Sequence, residues 1–233
     1  MILTAHQPVY LPWLGLFHKI ALCDTYVFLD TVKYLKQDWN NRNKIKGAGG
    51  AMWLTVPVAT KGTDNILLPD LRISNEHNWR LKHWRSIKSC YGRAPYFDQY
   101  APFLEEVYRR EWEYLNELND HMLLWFLEVL RIKVRFLRAS ELHLEGAKSD
   151  LVLDMCRKLG ATCYIFGALG RDYAQVADFQ RAGVKVIFQD YRHPEYQQLH
   201  GGFASHLSII DLLFNCGPKS IEILMKNQEG ITR

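Results

Sequence analysis

The sequence lacks a long apolar run, paired cysteines and a secretory signal. Its longest apolar block, Met122 to Leu130, is interrupted by Glu128 and is far shorter than the roughly 20 residues that cross a bilayer. The N-terminal residues show no basic stretch followed by an apolar run. Five cysteines without a Cys-x-x-Cys pair argue against a disulfide framework or a zinc ribbon. These absences predict a soluble protein of the cytoplasm.

The chain also lacks linker-like composition, internal repeats and low-complexity tracts. Its 233 residues are 48% hydrophobic and 13% aromatic, which is enough to build a sizeable core, and 23% are charged, as in ordinary globular proteins. We therefore predict one α/β domain over residues 1–233. A net charge of +4 does not by itself indicate a nucleic-acid binder.

Short β-branched runs alternate with helical patterns along the chain. A strand–helix–strand unit at residues 162–188 implies a parallel strand pair, and Gly160 ends the helix before it. The predicted fold is a Rossmann-like, mostly parallel sheet flanked by helices, with a helical insertion around residues 75–131. The predicted strands are Ile2–Ala5, Tyr26–Leu29, Trp53–Val58, Lys133–Leu137, Thr162–Phe166 and Val184–Phe188, and the predicted helices are Leu14–Leu22, Asn75–Tyr91, Pro102–Arg131, Ser149–Leu159, Asp172–Ala182 and His206–Phe214.

Ligands of parallel α/β sheets bind at the carboxyl ends of the strands, so the segments that follow the strands are the places to search. The segment His6 to Trp13 contains two prolines that fix the backbone beside His6, whose imidazole suits acid–base chemistry near neutral pH. Gln7 and Tyr10, in the same loop, are predicted to contact substrate. The alternative interpretation makes His6, Tyr10 and Trp13 core residues.

The segment Asp30 to Lys46 concentrates five cations and three asparagines against two acids. This mixture is typical of an anion site, because arginine donates two parallel hydrogen bonds to a phosphate or carboxylate and amides add directional hydrogen bonds. A solvated charged face is the alternative. Asp30 itself is predicted to be either an acid–base group or a turn cap. The predicted anion ligands are Lys36, Asn41, Arg42, Asn43 and Lys46.

The segment Gly167 to Asp172 precedes a predicted helix N-terminus, where backbone N–H groups and the helix dipole favour an anion. Gly167, Gly170 and Arg171 are the predicted anion ligands here. Asp172 is either a catalytic carboxylate or the helix N-cap. The glycine spacing matches neither a Walker loop nor the dinucleotide fingerprint, so no cofactor is predicted.

His193 follows the last predicted strand and adds an imidazole to the same rim, where it is predicted to contact substrate. Its spacing from His200 and His206 matches no zinc signature, so no metal is predicted.

Several motifs follow one another along nearly the whole chain. They are His6-Gln-Pro-x-Tyr-Leu-Pro-Trp-Leu-Gly15, Asp30, Lys36, Trp39-x-Asn-Arg-Asn43-x-Ile-Lys46, Trp53-Leu-Thr-Val-Pro-Val58, Gly170-Arg-Asp-Tyr173 and Ser208-Ile-Ile-Asp-Leu-Leu-Phe-Asn-Cys-Gly217. Together they resemble the WbqC-like family, although Lys33, Phe166 and Leu169 depart from the expected pattern. The resemblance implies a bacterial protein commonly encoded among genes for O-antigen or other surface glycans, with a suggested role in transferring glycine or another acyl group to an amino sugar.

The leading hypothesis is a transferase of surface-polysaccharide biosynthesis. A nucleotide-sugar or an activated acyl or aminoacyl donor would bind the two anion segments, and a carrier protein or tRNA is a further partner. His6, assisted by Asp30 or Asp172, would accept a proton from the acceptor amine.

Two other hypotheses stay open. A weaker likeness to adenylyl-transferring proteins implies a nucleotidyltransferase or ATP-dependent enzyme, although Tyr10 and Trp13 stand where its two histidines would be. The third hypothesis is a non-enzymatic RNA or carrier-protein binder that uses the basic, aromatic stretch Trp79 to Tyr91. In that stretch, a core stripe of Trp84, Ile87 and Tyr91 is the favoured interpretation.

Overall fold

The computed structural model describes residues 1–60 and 66–226 of the chain. The strands are β1 (Ile2–His6), β2 (Thr25–Phe28), β3 (Arg42–Gly47), β4 (Gly50–Thr55), β5 (Arg135–Arg138), β6 (Cys163–Phe166) and β7 (Lys185–Phe188). The α-helices are α1 (Leu14–Ala21), α2 (Trp79–Tyr91), α3 (Phe97–Arg109), α4 (Leu115–Val129), α5 (Ser149–Leu159), α6 (Val176–Arg181), α7 (Ile209–Cys216) and α8 (Ser220–Met225).

Five strands form a parallel sheet in the order β5-β2-β1-β6-β7. Numbered along the chain among themselves, these strands lie in the order 3-2-1-4-5, which is that of a doubly wound nucleotide-binding sheet. The direction of winding reverses between β1 and β6, and ligands of such sheets bind outside the strand ends at this switch point. The predicted Rossmann-like parallel sheet flanked by helices is confirmed, while the single-domain organisation stays a prediction.

Apolar side chains cover both faces of the sheet. Tyr26 of β2 belongs to a cluster with α1, α4 and α7, whereas its neighbour Val27 belongs to a second cluster with α5 and α6. Because successive side chains of a strand point to opposite faces, β2 is buried on both sides, as is usual for a parallel strand. No helix within the described ranges is long and apolar enough to cross a membrane.

The insertion between β2 and β5 is largely helical around residues 75–131, as predicted, and its helices are α2, α3 and α4; it also contains a β-hairpin that was not predicted. The expected strand Trp53–Val58 is displaced along the chain: β4 spans Gly50–Thr55 and pairs antiparallel with β3. The end of the basic segment Asp30 to Lys46 is part of a strand, since β3 begins at Arg42. We call β3 and β4 the hairpin.

The predicted helix Pro102–Arg131 is two helices, α3 and α4. The residues between them leave the helical path to pair with residues 71–73: the Ile73 N–H donates to the Glu113 carbonyl at 2.8 Å, and the Leu115 N–H to the Leu71 carbonyl at 3.0 Å. The apolar pattern hides this break, because Trp112 is buried within the linking segment.

The predicted helix Asp172–Ala182 begins only at Val176. Residues Ala168–Asp172 form a 3-10 turn, and Gln175, not Asp172, occupies the N-cap position of α6. Asp172 is therefore not the predicted helix cap. Gly160 ends α5 in the left-handed conformation, with φ 67°, as the sequence predicts.

Candidate functional site

Strands β1 and β6 separate before their carboxyl ends. The β1–β2 register continues to the pair His6 and Phe28, whereas the β1–β6 register stops at the pair Leu3 and Tyr164. We call the place between the carboxyl ends of β1 and β6, at the switch point of the sheet, the crevice. In doubly wound folds this is the position of the ligand.

Two side chains supply hydrogen bonds where the strands have separated. The Thr4 hydroxyl donates to the Ile165 carbonyl at 2.7 Å, so it bridges the two strands. The Lys19 ammonium, which comes from α1, donates to the Ala5 carbonyl of β1 at 3.0 Å. These bonds satisfy backbone groups that a continuous ladder would have paired.

Lys19 is a buried cation, with 3% of its surface exposed. Within the described residues no carboxylate lies within ion-pair distance of its ammonium group. Burial lowers the pKa of Lys19 to about 8, because the charged form loses its hydration. A lysine in this condition can accept a proton near neutral pH. Its sequence signal is a polar pair, His18 and Lys19, inside the otherwise apolar stretch Leu14–Leu22.

His6 is the last residue of β1, one position beyond the predicted strand end at Ala5, and it is partly exposed beside the crevice. Its ring packs edge-on against Trp13, with centroids 5.2 Å apart. Burial, and then the charge of Lys19, lower the pKa of His6 to about 3, so the ring is neutral at physiological pH and is a weak base. Nδ1 lies 2.8 Å from the Gln7 carbonyl, which only accepts; Nδ1 therefore carries the proton, and Nε2 is an acceptor.

A second imidazole, His18, lies on α1 beside the end of β7. The Gln189 amide, which follows β7, donates to the Gly15 carbonyl and to His18 Nδ1, both at 2.8 Å. Because Nδ1 accepts, Nε2 carries the proton, yet it is buried with no hydrogen-bond partner in the described structure. Burial lowers the pKa of His18 to about 4. Neither His18 nor Gln189 was among the predicted site residues.

The asparagine side chains of the predicted anion site donate hydrogen bonds to backbone carbonyl groups of the protein. Asn43 is fully buried and donates to the Leu11 carbonyl at 2.6 Å, where Leu11 adopts a left-handed φ of 45°. Asn40 donates to the Pro8 carbonyl at 2.7 Å, and Asn41 to the Val56 carbonyl at 2.8 Å. The prediction that Asn41 and Asn43 bind an anion is corrected: their amides fix the loop after β1 and the end of the hairpin.

Tyr10 and Lys46 are also committed to the interior. Tyr10 is fully buried, and its hydroxyl contacts His83 Nδ1 at 2.8 Å and the Tyr108 hydroxyl, so its predicted substrate contact is corrected to a core role. Lys46 is 4% exposed and donates to three protein oxygens. Its ammonium group has no donor left for an anion, which corrects its predicted role as well.

Neither predicted carboxylate forms a hydrogen bond with His6 in the described structure. Asp30 accepts from the Ser140 N–H at 2.9 Å and from its hydroxyl at 2.7 Å, so both oxygens hold the turn after β5. This arrangement corresponds to the structural alternative for Asp30. Asp172 is exposed on the 3-10 turn after β6.

The predicted anion cradle after β6 is not the start of an α-helix. A Cβ on Gly170 would lie 2.6 Å from Phe166 Cβ, so this glycine is needed for packing. The Arg171 guanidinium lies over the Phe188 ring, 4.8 Å from its centroid. Gly167 is not constrained in this way, and its contact with substrate stays a prediction.

The other predicted ligands lie in three different segments of the chain. Gln7 donates to Asp38 at 3.0 Å, and Lys36 is exposed. Arg42 lies over Trp53, 4.5 Å from the ring centroid. His193 packs among aromatic rings, and burial lowers its pKa; its Nε2 is buried and has no hydrogen-bond partner in the described part of the chain. In residues 1–60 and 66–226, no three His, Cys, Asp or Glu side chains are arranged to hold a metal ion.

Comparisons with known proteins support one family. A family model described as the WbqC-like protein family matches residues 7–223. The chain is 34% identical over 220 residues to the uncharacterized protein Rv1507c of Mycobacterium tuberculosis (strain ATCC 25618 / H37Rv), and this match covers 94% of the chain and 95% of the relative. No solved structure matches the chain.

Proposed function

We propose that this chain, which belongs to the WbqC-like protein family, is a transferase that moves glycine or another acyl group onto the amino group of an amino sugar. The acceptor is part of a nucleotide-sugar or a glycan. The donor is an activated acyl or aminoacyl compound, either small or attached to a carrier protein or tRNA. The association of the family with surface-glycan genes favours a place in bacterial O-antigen or related polysaccharide biosynthesis, in the cytoplasm.

The observation that carries this proposal is the buried Lys19 ammonium group at the crevice. No carboxylate among the described residues pairs with it, and its charge helps to keep His6 neutral. Acyl transfer to an amine needs a group that removes a proton from the attacking nitrogen. With its pKa lowered to about 8, Lys19 is neutral in about a tenth of molecules at pH 7. His6 is too weak a base for this role, so the proposal moves the proton acceptor from His6 to Lys19.

The proposed step begins when the acceptor nitrogen attacks the acyl carbon. The new C–N bond forms, the bond to the donor's leaving group breaks with its electron pair, and the nitrogen gives its proton to Lys19 Nζ. His6 Nε2 accepts a hydrogen bond from the acceptor amine and directs its lone pair toward the acyl carbon.

Incubating the protein with amino-bearing nucleotide-sugars and activated glycine tests the proposal, with mass spectrometry detecting the glycyl product. We expect Lys19→Met to lower turnover by about 10²–10⁴-fold while the far-UV circular dichroism stays unchanged. Lys19→Arg keeps the charge but cannot deprotonate, so it should also be inactive. Turnover by Lys19→Met within about threefold of wild type would refute Lys19 as the base.

The strand order favours one other candidate, nucleotidyl transfer, because the 3-2-1-4-5 sheet binds nucleotides at its switch point. Release of pyrophosphate from a nucleoside triphosphate, without transfer of an acyl group, would favour this second function. Product analysis in the same incubation separates the two.

A further inference from the structure

The hairpin has one face that packs against the core and a second face that is only partly exposed: Trp53 is exposed there, while Lys46 on the same face is buried under the loop at residues 198–202. Ile45 and Leu54 are buried on the side that packs toward α2. Because alternate residues of a strand point to opposite sides, Arg42, Lys44 and Trp53 lie on the other face. Lys44 and Trp53 are direct partners in the β3–β4 register. We call this second side the outer face.

Trp53 leaves 42% of its large surface exposed on the outer face. The Arg42 guanidinium lies 4.5 Å and the Lys44 ammonium 4.9 Å from the ring centroid. Both distances are within the range of cation–π attraction, so the two cations are held beside the indole.

A row of rings connects the outer face with the crevice. Trp53 lies 5.2 Å from Trp39, Trp39 lies 6.4 Å from Trp13, and Trp13 lies 5.2 Å from His6, measured between centroids. The row therefore joins an exposed aromatic surface to the proposed reaction centre. Its short extent suits one small extended ligand better than a polymer.

The cations beside Trp53 have no counter-charge in the described structure. Arg42 donates from Nη2 to the Gln37 carbonyl, and its Nε is buried with no hydrogen-bond partner among those residues. Residues 42–55 include no Asp or Glu. The neighbouring Asp38 uses one oxygen for the Gln7 amide and the other for the Trp39 N–H. An anion is the missing component of this surface.

We infer that the outer face binds the nucleoside diphosphate portion of a nucleotide-sugar, with the base against Trp53 and the phosphates against Arg42 and Lys44. A base presents a flat π surface for the exposed indole, and the diphosphate supplies the negative charge that both cations lack. The attached sugar then extends along Trp39 and Trp13 toward His6. This inference rests on the proposed function, which identifies the amino sugar that binds near His6. The inference adds where the nucleoside diphosphate of the same substrate binds.

Calorimetric titration of the full chain with UDP and ADP tests the inference without any turnover. We expect Trp53→Leu to weaken UDP binding by about tenfold or more and to leave binding of inorganic pyrophosphate unchanged, because only the base contact is lost. The double variant Arg42→Gln/Lys44→Gln should weaken UDP and pyrophosphate binding by about tenfold or more and should flatten the salt dependence.

Matched controls lie elsewhere on the surface. Trp125→Phe changes a partly exposed tryptophan of α4 that stacks on Phe103, and Lys82→Gln/Arg85→Gln removes two exposed cations of α2. Both controls should bind UDP as wild type does. Circular dichroism of each variant verifies its fold.

The outcomes separate the two proposals. Failure of wild type to bind UDP or ADP, wild-type affinity in both outer-face variants, or an equal loss in the α2 control would overturn the nucleotide site. Lys19→Met should bind UDP within about threefold of wild type. If UDP binds as expected but Lys19→Met still transfers acyl groups, the catalytic assignment fails and the nucleotide site stands.

Discussion

Lys19 and Lys46 are buried to nearly the same extent, 3% and 4% exposed, but their ammonium groups have different surroundings. Lys46 donates to the Gln198 side chain at 3.1 Å and to the Gly201 and Gly202 carbonyls at 2.7 Å each. Among the described residues, Lys19 donates only to the Ala5 carbonyl. Since an ammonium group has three donors, Lys46 is satisfied by the protein, whereas Lys19 has donors left for another molecule.

The surroundings of Lys46 form a closed polar network. Asp211 is fully buried and accepts from the Tyr91 hydroxyl at 2.9 Å and from the Tyr196 hydroxyl and the Gln198 amide at 2.8 Å each. Burial raises the pKa of Asp211, and these hydrogen bonds oppose the rise. The comparison shows that burial alone does not mark a lysine as a candidate for catalysis or binding. The number of its N–H donors without a protein partner distinguishes Lys19 from Lys46.

The largest effect on stability is expected from Lys46→Met. The substitution leaves the Gly201 and Gly202 carbonyls without this donor and leaves the Gln198 oxygen with the Ala204 N–H alone, so the free energy of unfolding should fall by about 3–5 kcal/mol in urea titrations. Lys36→Met, at an exposed lysine, is the matched control and should change it by less than about 0.5 kcal/mol. A loss below about 1 kcal/mol for Lys46→Met would contradict its structural role.

Lys19→Met should act in the opposite direction and raise the free energy of unfolding by about 1 kcal/mol at pH 7, because a poorly compensated buried cation is removed. The pKa of Lys19 is lowered to about 8 in the folded chain, whereas lysine in an unfolded chain has a pKa of about 10.4. Between these values the unfolded chain binds more protons, so wild-type stability rises with pH.

Relative to Lys19→Met, wild type should therefore gain up to about 1.4 kcal/mol per pH unit between about pH 8 and pH 10. Urea titrations of both proteins at several pH values measure this difference. If the free energies of unfolding of the two proteins changed with pH in the same way, Lys19 would have an ordinary pKa. The proposed difference between Lys19 and Lys46 would then be wrong.

The smallest effect is expected at Asp172, which lies outside both regions. Its side chain is exposed and does not cap α6, so Asp172→Asn should change stability by less than about 0.5 kcal/mol and leave turnover within about twofold. A large loss of turnover would restore the sequence-based prediction that Asp172 is catalytic and would widen the site toward the end of β6.

The parallel sheet was predictable because its strands are short apolar runs, and Gly160 marks the end of the helix before β6. The position of His6 at a strand end followed from the same pattern. Strand β3 escaped prediction because cations and Asn43 occupy most of its positions, so neither helical nor strand periodicity is visible. Asn43 is nevertheless fully buried, since its amide pairs with a distant carbonyl.

The role of Lys19 was beyond reach of sequence patterns for a different reason. It depends on where the β1–β6 register stops, and register is set by packing of whole elements, not by local residues. The predicted anion site grouped Arg42 with asparagines whose amides bind backbone carbonyls. Composition could not separate Arg42, on the outer face, from Lys46, which the loop at residues 198–202 encloses.

The hydrogen bonds of the loop after β1 limit how the sequence of this protein can evolve. Pro8 and Pro12 have no N–H to give, and the carbonyls of Pro8 and Leu11 accept from the amides of Asn40, just before the hairpin, and Asn43, within it. Replacing either asparagine leaves a carbonyl of the loop unmatched, and a loop with a different backbone course would leave the amides unmatched. Loop and hairpin should therefore be inherited as one unit, and a chimera that exchanges only one of them between relatives should fold poorly.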